Sequence, residues 1–214
     1  MSRFDRVEAP TDMTTLVARV RPPEVARLPR SSACDDELVA RALGGDRWAE
    51  EALYRRHVHR VTTVVARLLR HGPDVEDVVQ DTFVEALRDL GKLREPSRVG
   101  PWLVRIAVHR VHKVFRRRRL LRALGLERSM QDEPLELQAK VDASSEARAE
   151  LALLDRALDA MSFDDRTAWV LVALEDYPLA EAASLARCSL ATLKRRVARA
   201  ERAIAEHFEE VRHA

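Results

Sequence analysis

The residues best suited to chemistry are arginines that recur along a C-terminal segment from Ser189 to Ile204. Together with Thr192, Arg195, Arg199 and Arg202 repeat at helical spacing on one side of this segment. The other side carries apolar residues: Leu190, Leu193, Val197, Ala200 and Ile204. Guanidinium groups donate hydrogen bonds to guanine edges and to phosphates, so the pattern predicts a DNA-binding helix.

A second, shorter helix is predicted directly before this one. Residues from Leu179 to Ala186 favour a helix, a tight break follows, and Ser189 is a good N-cap for the next helix. Two short helices of which the second is basic are typical of a helix-turn-helix, whose second helix can lie in the major groove.

An unrelated basic helix lies earlier in the chain. No Asp or Glu occurs from Arg98 to Arg122, a stretch rich in arginine. If Trp102 to Arg119 form a helix, two opposite faces result. One face is apolar, with Leu103, Ala107, Val111 and Val114; the other carries Arg105, His109, His112 and Arg116. A face of this charge predicts contact with a polyanion.

The elements that must position these residues are predicted to be helices throughout. The chain has 214 residues, of which 46% are hydrophobic, 34% charged and 5% aromatic, with only six glycines. This composition favours amphipathic helices, and no run suggests alternating strands. The net charge of +2 conceals a basic, acidic, basic succession along the chain. We therefore predict an all-α protein with two small helical domains joined by a flexible linker.

The domain boundaries follow from composition. Residues 1–34 are predicted to be a flexible N-terminal extension, 35–122 the first domain, 123–147 an acidic linker, and 148–214 the domain with the helix-turn-helix. In the first domain, Asp35 to Leu43 predict a helix that ends at Gly44-Gly45. Asp46 and Asp74 are predicted caps of the next two helices, of which the first ends near Arg70, before Gly72-Pro73.

Catalytic and metal chemistry is not indicated. The histidines lack Cys or carboxylate neighbours at ligand spacing, and no phosphate-binding loop or nucleophile motif occurs, so we expect no metal, no cofactor and no enzymatic activity. Cys34 and Cys188 are expected to be reduced thiols. No segment predicts a signal peptide or a membrane span, and we expect a cytoplasmic protein.

Three segments together resemble the extracytoplasmic-function (ECF) sigma factors of bacterial RNA polymerase. They are DVEDVVQDTFVEAL (Asp74 to Leu87), PWLVRIAVHRVHKVFRRRR (Pro101 to Arg119) and SLATLKRRVARAERAI (Ser189 to Ile204), and the similarity extends from about Asp35 to Phe208. The resemblance implies a sigma factor that binds core polymerase, directs it to specific promoters and assists DNA melting.

The resemblance also implies a role for each segment. Polymerase binding, through the clamp helices of the largest subunit, falls to Asp74, Glu76, Asp77, Gln80 and Asp81. Recognition and melting of the minus-ten promoter element fall to Trp102, Arg105, His109, Lys113 and Arg116. Binding of the minus-thirty-five element falls to Thr192, Lys194, Arg195, Arg196 and Arg199. An anti-sigma factor is a further expected partner.

Several positions depart from the family pattern. The family commonly has Asn at His109, Asp at Lys113, Gly at Ala191, a small polar residue at Arg195, and Leu-Pro or Met-Pro at Met161-Ser162. The promoter sequence is therefore left open. Three alternatives also remain: a stand-alone helix-turn-helix regulator, a metal-dependent nuclease built around the histidines, and a helical adaptor. The first leaves the Asp74 to Phe83 motif unexplained, the second lacks a ligand set, and the third gives the two basic helices no purpose.

Overall fold

The computed structural model describes residues 33–69, 74–124, 153–154 and 156–213. These residues are helical with short connections and include no strand, as the composition predicted. They divide near residue 134 into two compact units. Most of the predicted N-terminal extension, the Gly72-Pro73 stop and most of the acidic linker lie outside the described residues.

The described part of the first unit contains four helices: α1 (Asp35–Leu43), α2 (Arg47–Leu69), α3 (Asp74–Asp89) and α4 (Val99–Ala123). The bounds of α1 are those predicted, and Gly45 turns the chain with a φ of 84°, a conformation that favours glycine. The predicted cap of α2 is confirmed, because Asp46 Oδ1 accepts from the backbone N–H of Trp48 at 3.0 Å.

Helix α2 is the centre of this unit and packs against α1, α3 and α4. The four helices bury mostly branched aliphatic side chains, among them Leu38, Val64, Val65, Leu68, Val104 and Val111. The apolar face predicted for α4 is confirmed at Leu103, Ala107 and Val111, which are all buried. Burial of this kind supplies most of the stability of helices of such length.

Two details of the first unit correct the sequence interpretation. The preference of proline for the first turn of a helix predicts that α4 starts near Pro101. The helix begins at Val99, after two short 3₁₀ turns, Leu90–Lys92 and Pro96–Arg98. Proline is tolerated there because first-turn N–H groups have no intrahelical acceptor. In α3, the spacing of the apolar residues places Leu87 on the buried side with Val79 and Phe83, but Leu87 is 38% exposed. Thr82 is buried instead, and its hydroxyl donates to the Val78 carbonyl at 2.7 Å.

The second unit contains helical residues 153–154 and 156–160, α5 (Phe163–Trp169), a π-helical turn (Val170–Leu174), α6 (Leu179–Leu185) and α7 (Leu190–His213). The sequence also predicts one helix from Asp164 to Leu174, and these residues are α-helical up to Trp169 and π-helical from Val170. Helix α5 packs against α7, and Trp169, Leu171, Leu193 and Ile204 are fully buried.

The predicted helix-turn-helix is confirmed as α6 and α7. Ser189 accepts from the backbone N–H of Thr192 at 3.2 Å and so caps α7, as predicted. Leu190 was assigned to the buried side of α7 but is 44% exposed, because it lies at the first position of the helix, at the edge of the core. None of the described helices is both long and apolar enough to cross a membrane.

Candidate nucleic-acid and protein interfaces

An outward face of α3 carries three polar side chains that have no partner among the described residues. Glu76, Asp77 and Gln80 are exposed, and no hydrogen bond or ion pair engages any of them. Val84, the next outward residue, is 58% exposed. We call Glu76, Asp77 and Gln80 the acidic face. It is suited to binding a cationic helical surface with an apolar component.

The two other carboxylates predicted for the same role are already paired. Asp81 accepts from Nη1 of Arg110 on α4, and Asp74 accepts from Nη2 of Arg118 at 2.8 Å. Arg110 also donates through Nε to Glu85 at 2.7 Å. Two arginines of the basic helix thus face α3. Sequence reasoning missed both pairs because the partners are 29 and 44 residues apart.

The face of α4 that lies opposite Arg110 and Arg118 is exposed and cationic. Arg105, Lys113 and Arg116 are exposed and have no ion-pair partner in the described part of the chain. Trp102 and His109, from the same predicted set, are half-buried at its edge. Partial burial, followed by nearby cations such as Lys113, lowers the pKa of His109. The imidazole is therefore neutral at pH 7 and can donate or accept a hydrogen bond.

A polar cluster that joins α1 to α2 lies beside the start of α4, and the sequence did not reveal it. Asp35 of α1 accepts from Nη1 of Arg56 at 2.8 Å and lies 3.3 Å from Nε2 of His57, both on α2. A Cβ added to Gly100 would lie 3.3 Å from the His57 ring, so glycine allows α4 to approach closely. Burial lowers the pKa of His57, and the carboxylate of Asp35 opposes this effect.

The N-terminal turn of α7 presents a second open cationic surface. Lys194 and Arg195 are exposed, and Lys194 has no partner among the described residues. Arg195 donates through Nη2 to Oγ1 of Thr192 at 3.4 Å, and that hydroxyl lies 2.9 Å from Oγ of Ser189. These contacts bring together the cap of the helix and the residues predicted to reach DNA.

The remaining two residues of the predicted set are paired with carboxylates of α5. Arg196 donates to Asp164, and its side chain is only 17% exposed. Arg199 makes two hydrogen bonds to Asp165, at 2.6 and 3.2 Å, and is 53% exposed. The hydrogen bond to Asp165 raises the pKa of Arg199, so this side chain remains charged. These pairs could not be predicted from the sequence, because the partners are 32 and 34 residues apart.

No metal centre emerges in the residues that the structure describes, since no group of three or more His, Cys, Asp or Glu side chains is arranged to hold an ion. Cys34 is exposed and Cys188 half-buried, and each is a free thiol. The surfaces on α3, α4 and α7 are thus the interfaces that the geometry offers, and all three are suited to binding macromolecules.

Comparison with known families gives two matches, one in each half of the chain. The model of Sigma-70 region 2 matches residues 53–120, which include most of α2 and all of α3, and that of Sigma-70 region 4 matches residues 151–204. The ECF RNA polymerase sigma factor SigM of Mycobacterium tuberculosis is 32% identical over 177 residues, which cover 82% of this chain and 85% of SigM.

Two solved structures share the fold of this chain. CnrH, solved in complex with the cytosolic domain of CnrY, aligns with a TM-score of 0.60 and 26% identity over 83% of this chain and 99% of that one. The sigma factor RpoE of Bartonella quintana, solved with the anti-sigma factor NepR, shares the fold with a TM-score of 0.56 and 22% identity over 73% and 94% of the two chains.

Proposed function

Since this chain belongs to the ECF sigma-factor family of bacterial RNA polymerase, we propose that its three open surfaces divide the work of promoter recognition. An ECF sigma factor binds core polymerase, directs it to specific promoters and assists the melting of DNA. The family matches do not favour the stand-alone regulator. The polymerase catalyses RNA synthesis, so this chain positions the polymerase on the promoter and contributes no catalytic group.

Polymerase binding is the role proposed for the acidic face of α3. One observation carries this assignment: the residues of the acidic face are exposed and unpaired, whereas Asp74, Asp81 and Glu85 of the same helix are engaged by arginines of α4. A carboxylate whose charge is already met by an arginine gains less from a further cation. Asp74 and Asp81 therefore contribute to the negative electrostatic potential around the acidic face, whereas the residues of the acidic face contact the clamp helices directly.

Binding and melting of the minus-ten element is the role proposed for α4. Arg105, Lys113 and Arg116 supply phosphate contacts, which make affinity strongly dependent on salt. The half-buried Trp102 and the neutral His109 lie beside these cations and offer ring surfaces against which an unstacked base can rest. Stacking of this kind offsets part of the cost of opening the duplex, which is a few kcal/mol per extruded base.

Binding of the minus-thirty-five element is the role proposed for α7. Lys194, Arg195 and Arg199 point cationic groups outward from the second helix of the helix-turn-helix, and Thr192 orients Arg195. Arg196 is also in the predicted set, but its burial and its bond to Asp164 favour a role in holding α7 against α5. Direct readout by these groups requires the N-terminal part of α7 to enter the major groove.

The remaining assignments concern partners and organisation. We infer that the first domain spans residues 35–122, that an acidic linker spans 123–147 and that the second domain spans 148–214. RpoE was solved with an anti-sigma factor, and we infer a partner of that class for this chain. The place of action is the cytoplasm, because that is where bacterial polymerase transcribes.

Core binding by charge-reversed variants tests the polymerase assignment. The double variant Glu76→Arg, Asp77→Arg should lose at least tenfold in affinity for purified core polymerase, measured by fluorescence anisotropy of the labelled full chain. Asp36→Arg is the matched control, because Asp36 is an exposed and unpaired carboxylate in the first turn of α1. Equal affinity of the double variant and the wild type would refute the assignment.

A further inference from the structure

Arg199 of α7 is held along one edge by a carboxylate from another helix. Its Nε donates to Oδ2 of Asp165 at 3.2 Å, and its Nη2 donates to Oδ1 at 2.6 Å. A guanidinium has five N–H donors, so the edge formed by Nη1 and the second N–H of Nη2 is unused in the described structure. The side chain is 53% exposed, which leaves this edge accessible from outside.

Asp165 is itself fixed in place. It lies in the first turn of α5, and its backbone N–H donates to Oγ of Ser162, the cap of that helix, at 3.2 Å. Its side chain is 14% exposed, far less than that of Arg199. Since α5 packs against α7, the carboxylate is a rigid support for a guanidinium that would otherwise sample many rotamers.

We propose that Asp165 is a positioning residue that aims the unused edge of Arg199 at a pair of parallel acceptors in the promoter duplex. O6 and N7 of a guanine form such a pair, and so do two oxygens of a phosphate. The inference rests on the proposed function of α7 as the minus-thirty-five helix. A guanidinium held in advance loses less conformational entropy when it binds, so the fixed edge increases affinity.

The neighbouring ion pair, between Arg196 and Asp164, has a different geometry. Arg196 donates to Asp164 through Nη2, but here the arginine is the buried partner, at 17% exposure, and the carboxylate is 49% exposed. A buried guanidinium presents little of itself to DNA. The two pairs therefore differ in function: one holds the helices together, and the other leaves a charged fork directed outward.

In a competing account, Asp165 only neutralises the charge of Arg199. That account predicts a change in DNA affinity of the opposite sign when the carboxylate is removed. If the carboxylate only cancelled the charge of Arg199, the removal of the carboxylate would strengthen binding to every DNA sequence. If it positions Arg199, its removal weakens binding to the cognate promoter, even though the net charge of the protein becomes more positive. The sign of the change in affinity separates the two accounts.

The experiment uses holoenzyme reconstituted from the full chain and core polymerase, with affinity for a promoter fragment measured by competition. Asp165→Asn and Arg199→Lys should each weaken binding to the cognate promoter by roughly 5- to 100-fold. Both changes remove the same positioned guanidinium edge. The double variant should therefore bind the promoter no more weakly than the single variant that has the lower affinity. Glu201→Gln, which removes an exposed and unpaired carboxylate from α7, should leave the affinity within twofold.

A second arm identifies the acceptors. If they belong to a guanine, the effect of Asp165→Asn disappears on a fragment in which one G·C pair of the minus-thirty-five element is replaced. If they belong to a phosphate, the effect persists on every sequence. Additive losses in the double variant, or tighter binding by Asp165→Asn, would overturn the inference. An unchanged thermal-unfolding midpoint of each variant shows that the second unit is folded, and failure of the wild-type holoenzyme to select any promoter would refute the proposed function instead.

Discussion

Arg110 of α4 donates through Nε to Glu85 of α3 at 2.7 Å and through Nη1 to Asp81, one turn earlier on the same helix. One guanidinium thus joins the acidic helix to the basic helix. Its side chain is 23% exposed, and Glu85 is 20% exposed. The pair is therefore only partly screened by water and fixes the packing of the two helices whose outer faces carry the proposed polymerase and minus-ten contacts.

Arg110→Gln should destabilise the first unit. The variant leaves two carboxylates without their cation, and we expect the free energy of unfolding to fall by about 1–2 kcal/mol. Urea denaturation followed by circular dichroism measures the change. Arg105→Gln is the control for stability, because Arg105 is exposed and unpaired. If Arg105→Gln lost as much stability as Arg110→Gln, the two faces of α4 would not differ in the way described above.

His57 should make stability depend on pH. Burial lowers its pKa below the ordinary value of 6.5, so the unfolded chain binds a proton at higher pH than the folded chain does. Stability therefore rises with pH between the lowered folded pKa and about 6.5, and it is lost as the pH falls through this interval. Asp35, Arg56 and Arg60 surround the ring and set the size of the effect.

The measurement is the urea midpoint of the wild type and of His57→Gln between pH 5 and pH 7.5. The wild type should lose more stability than the variant as the pH falls below 6.5. Because His109 also titrates at a lowered pKa, the comparison uses the difference between the two proteins. Parallel pH curves would show that His57 does not titrate as its burial requires.

Ser189→Ala should weaken the helix-turn-helix. The serine caps α7 through the N–H of Thr192 and also contacts the Thr192 hydroxyl, so its loss should cost about 1 kcal/mol. The midpoint of thermal unfolding measures the cost. Ser184→Ala is the control, since Ser184 is an exposed residue within α6, where alanine is favoured. Equal midpoints for Ser189→Ala and the wild type would mean that the cap contributes nothing.

Local signals in the sequence predicted the helices well. The bounds of α1, the caps at Asp46 and Ser189 and the apolar faces of α4 and α7 follow from residue types within a few positions of each other. The start of α4 was predicted two residues too late because proline is permitted anywhere in the first turn of a helix.

The partners of the arginines could not be predicted in the same way. Arg110, Arg118, Arg196 and Arg199 belong to basic stretches whose one-dimensional pattern is the same whether a side chain faces solvent, DNA or a neighbouring helix. Only the packing of α3 on α4 and of α5 on α7 determines which face a given arginine occupies. The sequence therefore predicted the surfaces but not which of their residues are unpaired.

Promoter-directed transcription tests the central claim most directly. The measurement is initiation by purified core polymerase on a library of promoter fragments, with the wild-type chain and with Glu76→Arg, Asp77→Arg. We predict that the wild type initiates at fragments sharing a pair of elements near minus ten and minus thirty-five, and that the variant does not. If the wild type supports no initiation while the free protein binds duplex DNA specifically, the sigma-factor account of these surfaces is wrong.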